Sequence, residues 1–232
     1  LWQLNRVTTA STESPMSDFY AARKAMVDCQ VRPSDVTRFA IIGAMLEVPR
    51  ELFVPRAQRP VAYADLQVEI APGRVMLDPR TFAKMLDAAD IRDDDLVLDV
   101  GAGSGYSSVV AAKMAAAVVA LEEDPALAAQ AGERVAGLEV DNVIVETGPL
   151  AGGHPASGPY DVILVEGAIG TEPRALLEQL KIGGRLVAIH MAGPLGQCRI
   201  YTRGAGSASH RSAFDASAPV LPGFNAIPAF GF

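Results

Sequence analysis

The stretch LVLDVGAGSGYSS, residues 96–108, decides how the rest of the chain is read. A short run of branched apolar residues, Leu96 to Val100, has the length and composition of a strand buried on both faces. Three glycines then alternate through Gly101, Gly103 and Gly105, and a helix of small residues is expected over 107–115. Strand, glycine turn, helix is the unit from which an open α/β sheet builds its ligand crevice, beyond the carboxyl end of the first strand. The glycines let a ligand approach the backbone and tolerate a positive φ.

Downstream the rhythm repeats. Strands are expected at 117–121, 142–146, 160–165 and 185–190, with helices at 125–136 and 174–180 between them. Strands alternating with helices at this spacing imply right-handed crossovers and a parallel sheet covered on both faces. From Gly193 the pattern changes to strand-like segments at 197–202 and 212–214 joined by Gly/Ser turns, an antiparallel edge to the sheet. Upstream, 17–31 and 80–89 carry helical apolar repeats. A further helix, capped by Ser34 or Asp35 and stopped by Pro49, precedes an irregular connection over 50–67 and a Gly/Pro loop over 70–79. Residues 1–15 are polar, lack an apolar repeat and end at Pro15, so they are expected to be a disordered or non-native leader. The remainder, 16–232, is read as a single α/β domain: a helical cap and loop over 16–90, a cofactor-binding core over 91–192, and C-terminal strands over 193–232.

Composition narrows the function. The 232 residues are 50% hydrophobic and 20% charged, enough apolar material for a core. A net charge of −7 argues against a nucleic-acid partner held by counterion release. No apolar run approaches the length of a membrane span. The two cysteines, Cys29 and Cys198, have no metal-ligand spacing, and a reducing compartment, the cytoplasm, is the expected location. No metal is expected.

The glycine loop can hold a nucleoside. The second strand ends at Glu122, 122 − 101 = 21 residues beyond the first glycine. A carboxylate at about that distance accepts hydrogen bonds from ribose hydroxyls in nucleotide folds. A dinucleotide site wants glycine at the sixth position of GxGxxG, and that position is Tyr106. S-adenosylmethionine has no pyrophosphate to seat and carries an ammonium, so an acid before the loop, Asp99, suits it better. The candidate cofactor residues are therefore Asp99, Gly101, Ala102, Gly103, Gly105, Tyr106, Glu122 and Glu123, with Glu166 ending the fourth strand. His154, His190 and His210 have no partner pattern and read as surface or satisfied histidines.

Several stretches together carry a family resemblance: MVDCQVRP (26–33), VPRELFVP (48–55), AYAD (62–65), the glycine loop, PYDVILVEGA (159–168) and LKIGGRLV (180–187). In this order they resemble the protein-L-isoaspartate O-methyltransferases, class I S-adenosylmethionine-dependent enzymes with a Rossmann-like fold. The resemblance implies carboxyl O-methylation of isoaspartyl residues in damaged proteins, with S-adenosylmethionine as cofactor and an isoaspartyl protein or peptide as partner. It also implies that the loop before the cofactor core, approximately G-Q-T-I-S-x-P in the family, lies at the acceptor. Here that loop is GRVMLDP (73–79), so Arg74, Val75 and Leu77 stand at its candidate catalytic positions and the Thr and Ser hydroxyls are absent. The resemblance also adds Gly148 and Pro149, after the third strand, to the candidate cofactor residues, although the family's acid there, suited to the adenine amino group, is replaced by Pro149. Those departures leave two other readings: a methyltransferase of the same fold with a different acceptor, and a cofactor-binding protein that has lost catalysis.

Overall fold

The computed structural model describes residues 15–225; residues 1–14 of the expected leader and the last residues of the chain lie outside them, while Pro15, read as the leader's end, begins the first helix. Helix α1 (Pro15–Met26) opens the chain and passes through a wider turn at Val27–Val31. Helix α2 (Phe39–Glu47) follows. Asp35 does not cap it: its backbone is left-handed (φ 67°) and closes the preceding turn, and the N-cap is Arg38. Phe39, the first helical residue, is left 87% exposed, off the apolar face that buries Ile41, Ile42 and Met45.

The stretch expected to be a Gly/Pro loop is instead a hairpin. Strands β1 (Val68–Ala71) and β2 (Arg74–Met76) pair antiparallel and form a small sheet of their own. Pro72 and Gly73 supply its turn, Gly73 at φ +71°, and the β-branched Val68, Ile70 and Val75 suit the flanking strands. Helix α3 (Pro79–Ala89) starts where Asp78 accepts the Thr81 N–H at 2.8 Å.

The core is a seven-stranded sheet. Its strands are β3 (Leu96–Val100), β4 (Ala117–Glu122), β5 (Val143–Thr147), β6 (Tyr160–Ile169), β7 (Leu180–Ala192), β8 (Leu195–Arg203) and β9 (Ala208–Asp215), in the spatial order β5-β4-β3-β6-β7-β8-β9. Pairs from β5 through β7 are parallel and the last two antiparallel, as the change of rhythm after Gly193 implies. Helices α4 (Tyr106–Ala112), α5 (Pro125–Gly137) and α6 (Arg174–Leu177) connect the parallel strands. Helix α6 is shorter than expected because the sheet claims the chain beyond it. Tyr160 N–H bonds the Gln179 carbonyl at 2.8 Å, and Leu180 already pairs with Tyr160.

This order fixes the ligand crevice. From β3 the chain moves outward to β4 and β5, then returns to the other side of β3 as β6. The strand order reverses at β3, and a ligand of such a sheet sits at the carboxyl ends there. Two apolar clusters cover the sheet's faces, one with the N-terminal helices and α4, the other with Leu150, Leu176, Leu221 and Phe224. Phe224 thus packs over the sheet; Phe230 and Phe232 lie outside the described residues. Among the described residues no helix is long and apolar enough to cross a membrane.

Candidate active site

The crevice has a floor made by the glycine loop and the end of β4. Gly101, Gly103 and Gly105 all take positive φ, so the turn demands glycine. They do different work. Gly101 and Gly103 line the crevice, whereas a Cβ at Gly105 would lie 3.1 Å from the Cβ of Ala131, so Gly105 lets α4 pack on α5. Asp99, fully buried at the end of β3, accepts hydrogen bonds from Ser107 (2.6 Å) and Ser108, the first residues of α4 after Tyr106. Burial pushes its carboxyl up to about 6, against the opposing pull of those two hydroxyls.

Glu122 is the most heavily engaged group of the site. One carboxylate oxygen, Oε2, accepts the Gly103 N–H at 2.7 Å, and Oε1 accepts the N–H groups of Glu123 (2.8 Å) and Asp124 (3.0 Å). The Arg74 guanidinium also grips both oxygens, Nη1 to Oε1 at 2.6 Å and Nη2 to Oε2 at 2.7 Å. Arg74 Nη2 donates to the Gly101 carbonyl as well, at 3.0 Å. The residue expected to face an acceptor is thus folded onto the residue expected to hold a ribose. Glu123 lies beside the site with its side chain in solvent; Gly148 bonds the Glu122 carbonyl at 3.0 Å and Pro149 is exposed.

The opposite side of the crevice comes from β6 and the C-terminal segment. Between Leu164 and Ala168 the β6–β7 register slips, and this irregularity brings Glu166 to the crevice, where Oε1 has no hydrogen-bond partner. Burial raises the Glu166 carboxyl well above the usual range, and the nearby Asp99 charge raises it further. Beyond it the C-terminal segment lies along Ala168 like a strap: Ala168 N–H bonds the Pro219 carbonyl and Leu221 N–H bonds the Ala168 carbonyl, both at 2.9 Å. Leu221 fills the hollow left by two glycines. A Cβ at Gly101 would lie 2.8 Å from Leu221 Cδ1, and one at Gly167 would lie 2.6 Å from Cδ2.

The roof is the signature loop, and here the sequence reading missed Arg50. This arginine is fully buried, donates through Nε to the Ala62 carbonyl at 2.7 Å and through Nη2 to the Leu77 carbonyl at 2.5 Å. It also lies 4.9 Å from the ring centroid of Tyr106, itself wedged between Phe53 and Phe82. Ser104 ties the glycine loop to the Phe53 carbonyl. The VPRELFVP stretch is therefore a brace that joins the loop above the site to the turn below it. An arginine followed by an acid in an otherwise apolar run was the available signal. Leu77 is 1% exposed and belongs to the core, and Val75 is half-buried opposite Glu69. Between roof and floor remains a cavity of about 10 Å³, bordered by Val75, Leu77, Ala102, Tyr106 and Glu166, space for roughly one water.

Along the crevice several buried polar atoms lack partners among the described residues: Arg50 Nη1, Tyr106 Oη and Glu166 Oε1 at the cavity, and Arg74 Nε and Asp99 Oδ1 at the floor beside it. Buried polar groups are ordinarily satisfied, so a concentration of orphans marks a place built for a polar guest. A family model described as protein-L-isoaspartate(D-aspartate) O-methyltransferase matches residues 22–199, spanning hairpin, brace, glycine loop and the sheet through β7. The chain belongs to this family. A protein-L-isoaspartate O-methyltransferase of Methylorubrum extorquens is 41% identical over 190 residues, 82% of each chain. Another, of Ignicoccus hospitalis, is 42% identical over 155 residues, covering 66% of this chain and 74% of the relative. Two solved structures share the fold. A protein-L-isoaspartate O-methyltransferase aligns with TM-score 0.75 and 23% identity over 87% of this chain and 66% of its own. A Plasmodium falciparum protein described as a putative enzyme of the same kind, in complex with S-adenosyl-L-homocysteine, aligns with TM-score 0.73 and 20% identity over 88% and 97%.

Proposed function

We propose that this protein is a cytoplasmic methyltransferase that moves the methyl group of S-adenosylmethionine to the free carboxylate of isoaspartyl residues in proteins. The observation that carries the reading is the set of orphaned buried polar atoms at the sheet's reversal point, beside a glycine turn and Glu122. Those groups fit the cofactor in kind. Glu122 offers acceptor capacity for a ribose hydroxyl once Arg74 is displaced, and the unpartnered oxygens of Asp99 and Glu166 can accept hydrogen bonds from an ammonium. Gly101, Ala102 and Gly103 would lie against its amino-acid part.

When bound, S-adenosylmethionine supplies a methyl group already activated by a sulfonium, whose transfer to a carboxylate oxygen leaves a neutral thioether. An isoaspartyl carboxylate is ionised at neutral pH and needs no general base. The chain's task is alignment and exclusion of water. Arg50 holds the loop of Val75 and Leu77 over the cavity through the Leu77 carbonyl. Tyr106, Phe53 and Phe82 keep that space apolar and rigid.

The test is a methylation assay with paired peptides differing only in an aspartyl or isoaspartyl linkage, read by mass. A methyl ester on the isoaspartyl peptide alone is expected. Methylation of neither peptide sinks the substrate assignment. The apolar Val75 and Leu77 favour, in that event, a different acceptor.

A further inference from the structure

The nucleoside end of the crevice is already filled by parts of the chain itself. Arg74 covers the groove between β3 and β4, with both of its terminal nitrogens on Glu122 and one on the Gly101 carbonyl. Leu221 covers the groove between β3 and β6, seated against Gly101 and Gly167. Arg74 Nη2 would also come within 3.4 Å of a Cβ at Gly101, so the two side chains meet over the same glycine. A nucleoside gripping Glu122 through its sugar must replace the guanidinium there, because the remaining capacity of that carboxylate is taken by three backbone N–H groups.

The elements that bring these side chains in have few backbone bonds to the main sheet. The β1–β2 hairpin is a separate two-stranded sheet outside the main ladder. The strap is held along the end of β6 by bonds at Pro219, Leu221 and Phe224. The two are joined to each other: Gln67, just before β1, donates to the Ser217 carbonyl at 2.6 Å. Elements with few backbone bonds to the core are the ones that open locally.

From this arrangement we propose that Arg74 and Leu221 form an intramolecular latch that competes with the cofactor, so that S-adenosylmethionine binds only when hairpin and strap have released the glycine turn. The inference rests on the methyl-donor reading given above. It reverses the role assigned to Arg74 from the sequence: the residue opposes cofactor binding instead of orienting the acceptor. A site that is open only a fraction of the time shows an apparent dissociation constant raised by the inverse of that fraction. Removing the latch therefore tightens binding.

Calorimetric titration with S-adenosylhomocysteine, on the full chain and on R74Q, L221A and the double variant, tests this. R74Q is expected to fold, since Glu122 keeps its three backbone donors. Thermal unfolding verifies that each variant is folded. The expected result is an affinity about tenfold higher in R74Q and in L221A, and higher again in the double variant. Weaker binding by R74Q overturns the latch and makes Arg74 a ligand of the cofactor. Equal binding by all four proteins overturns the latch while leaving the methyl-donor reading intact. Binding by none of them overturns both.

Discussion

Floor and roof of the crevice are built on opposite principles. The floor is local: Asp99, the glycine turn, Ser107 and Ser108 fall within residues 99–108, and Glu122 joins them through the neighbouring strand. Its polar groups are held by backbone N–H groups and hydroxyls whose positions follow from strand and helix geometry. The roof is non-local. Arg50, Arg74, Leu77 and Leu221 arrive from an irregular connection, a hairpin, a loop and the C-terminal segment, and their contacts span tens of residues in sequence. The floor is polar and specified by pattern; the roof is apolar apart from its two arginines and specified by packing. Breaking the floor should therefore cost binding and fold together, whereas changes in the roof should separate them.

The largest expected effect is at Glu122. Five donors converge on its carboxylate, and removing its charge leaves Arg74 buried without an anion. Glu122→Gln should lose about 3–5 kcal/mol in urea unfolding, the usual cost of breaking a buried pair. It should also weaken S-adenosylhomocysteine binding by at least about tenfold, since a hydrogen bond to a charged acceptor contributes roughly 1.5–3 kcal/mol. A variant as stable as the parent would mean that the convergence on Glu122 does not hold the floor together.

Leu77→Ser probes the roof. The family's loop has a serine here, yet in this chain the side chain is 1% exposed and packed in the core. Restoring the hydroxyl should destabilise by about 2–4 kcal/mol, as truncations of buried leucines do. Affinity for S-adenosylhomocysteine should change little, because Arg50 grips the backbone carbonyl rather than the side chain. A large fall in affinity with unchanged stability would show that Leu77 belongs to the binding surface and that the contrast between floor and roof is wrong.

The contrast also explains what could be read from the sequence. Leu96 to Val100, the glycines and Glu122 announce themselves through spacing alone, and the alternation of strands and helices gives the sheet. The β1–β2 hairpin hid behind Pro72 and Gly73, because a turn and a loop share the same residues and only strand pairing tells them apart. Arg50 was visible inside VPRELFVP, but nothing local says that its donors reach Ala62 and Leu77. Leu221 carries no signal at all. An apolar residue near the end of a chain becomes a plug only because two glycines, at 101 and 167, leave it a hollow.

A smaller effect follows from protonation across the floor. Burial raises Asp99 to about 6, and raises Glu166 in the same direction, with Glu122, Arg74 and Arg50 as their charged neighbours. The folded chain thus keeps protons that the unfolded chain releases near pH 4. For Asp99 the stability this contributes is full below about pH 4 and is lost as pH rises through about 6, by roughly 2–3 kcal/mol; for Glu166 the loss runs in the same direction. Glu166→Gln removes the part due to Glu166. Its stability relative to the parent, from urea unfolding at steps between pH 4.5 and 7.5, should rise with pH. A difference that stays flat across that interval would mean Glu166 meets enough solvent to ionise normally.

The smallest effect is expected at Val75, and it is the most informative about the acceptor. Val75 borders the cavity from β2, is half-buried, and stands where the family's loop has threonine. Val75→Thr keeps shape and changes one methyl to a hydroxyl, so stability should fall by no more than about 1–2 kcal/mol. If isoaspartyl carboxylates are the acceptor, the added donor lies at the cavity wall and should raise kcat/KM for an isoaspartyl peptide by about tenfold or more, one hydrogen bond to a charged oxygen. Binding of S-adenosylhomocysteine should not move, since the hydrogen bonds at Glu122 and the glycine turn do not involve the Val75 side chain. A variant with unchanged kcat/KM and unchanged cofactor affinity would separate the roof from the acceptor altogether. The apolar wall would then be packing alone, and orientation of the substrate carboxylate would fall to the buried guanidinium of Arg50, whose Nη1 is unpartnered at the cavity's edge.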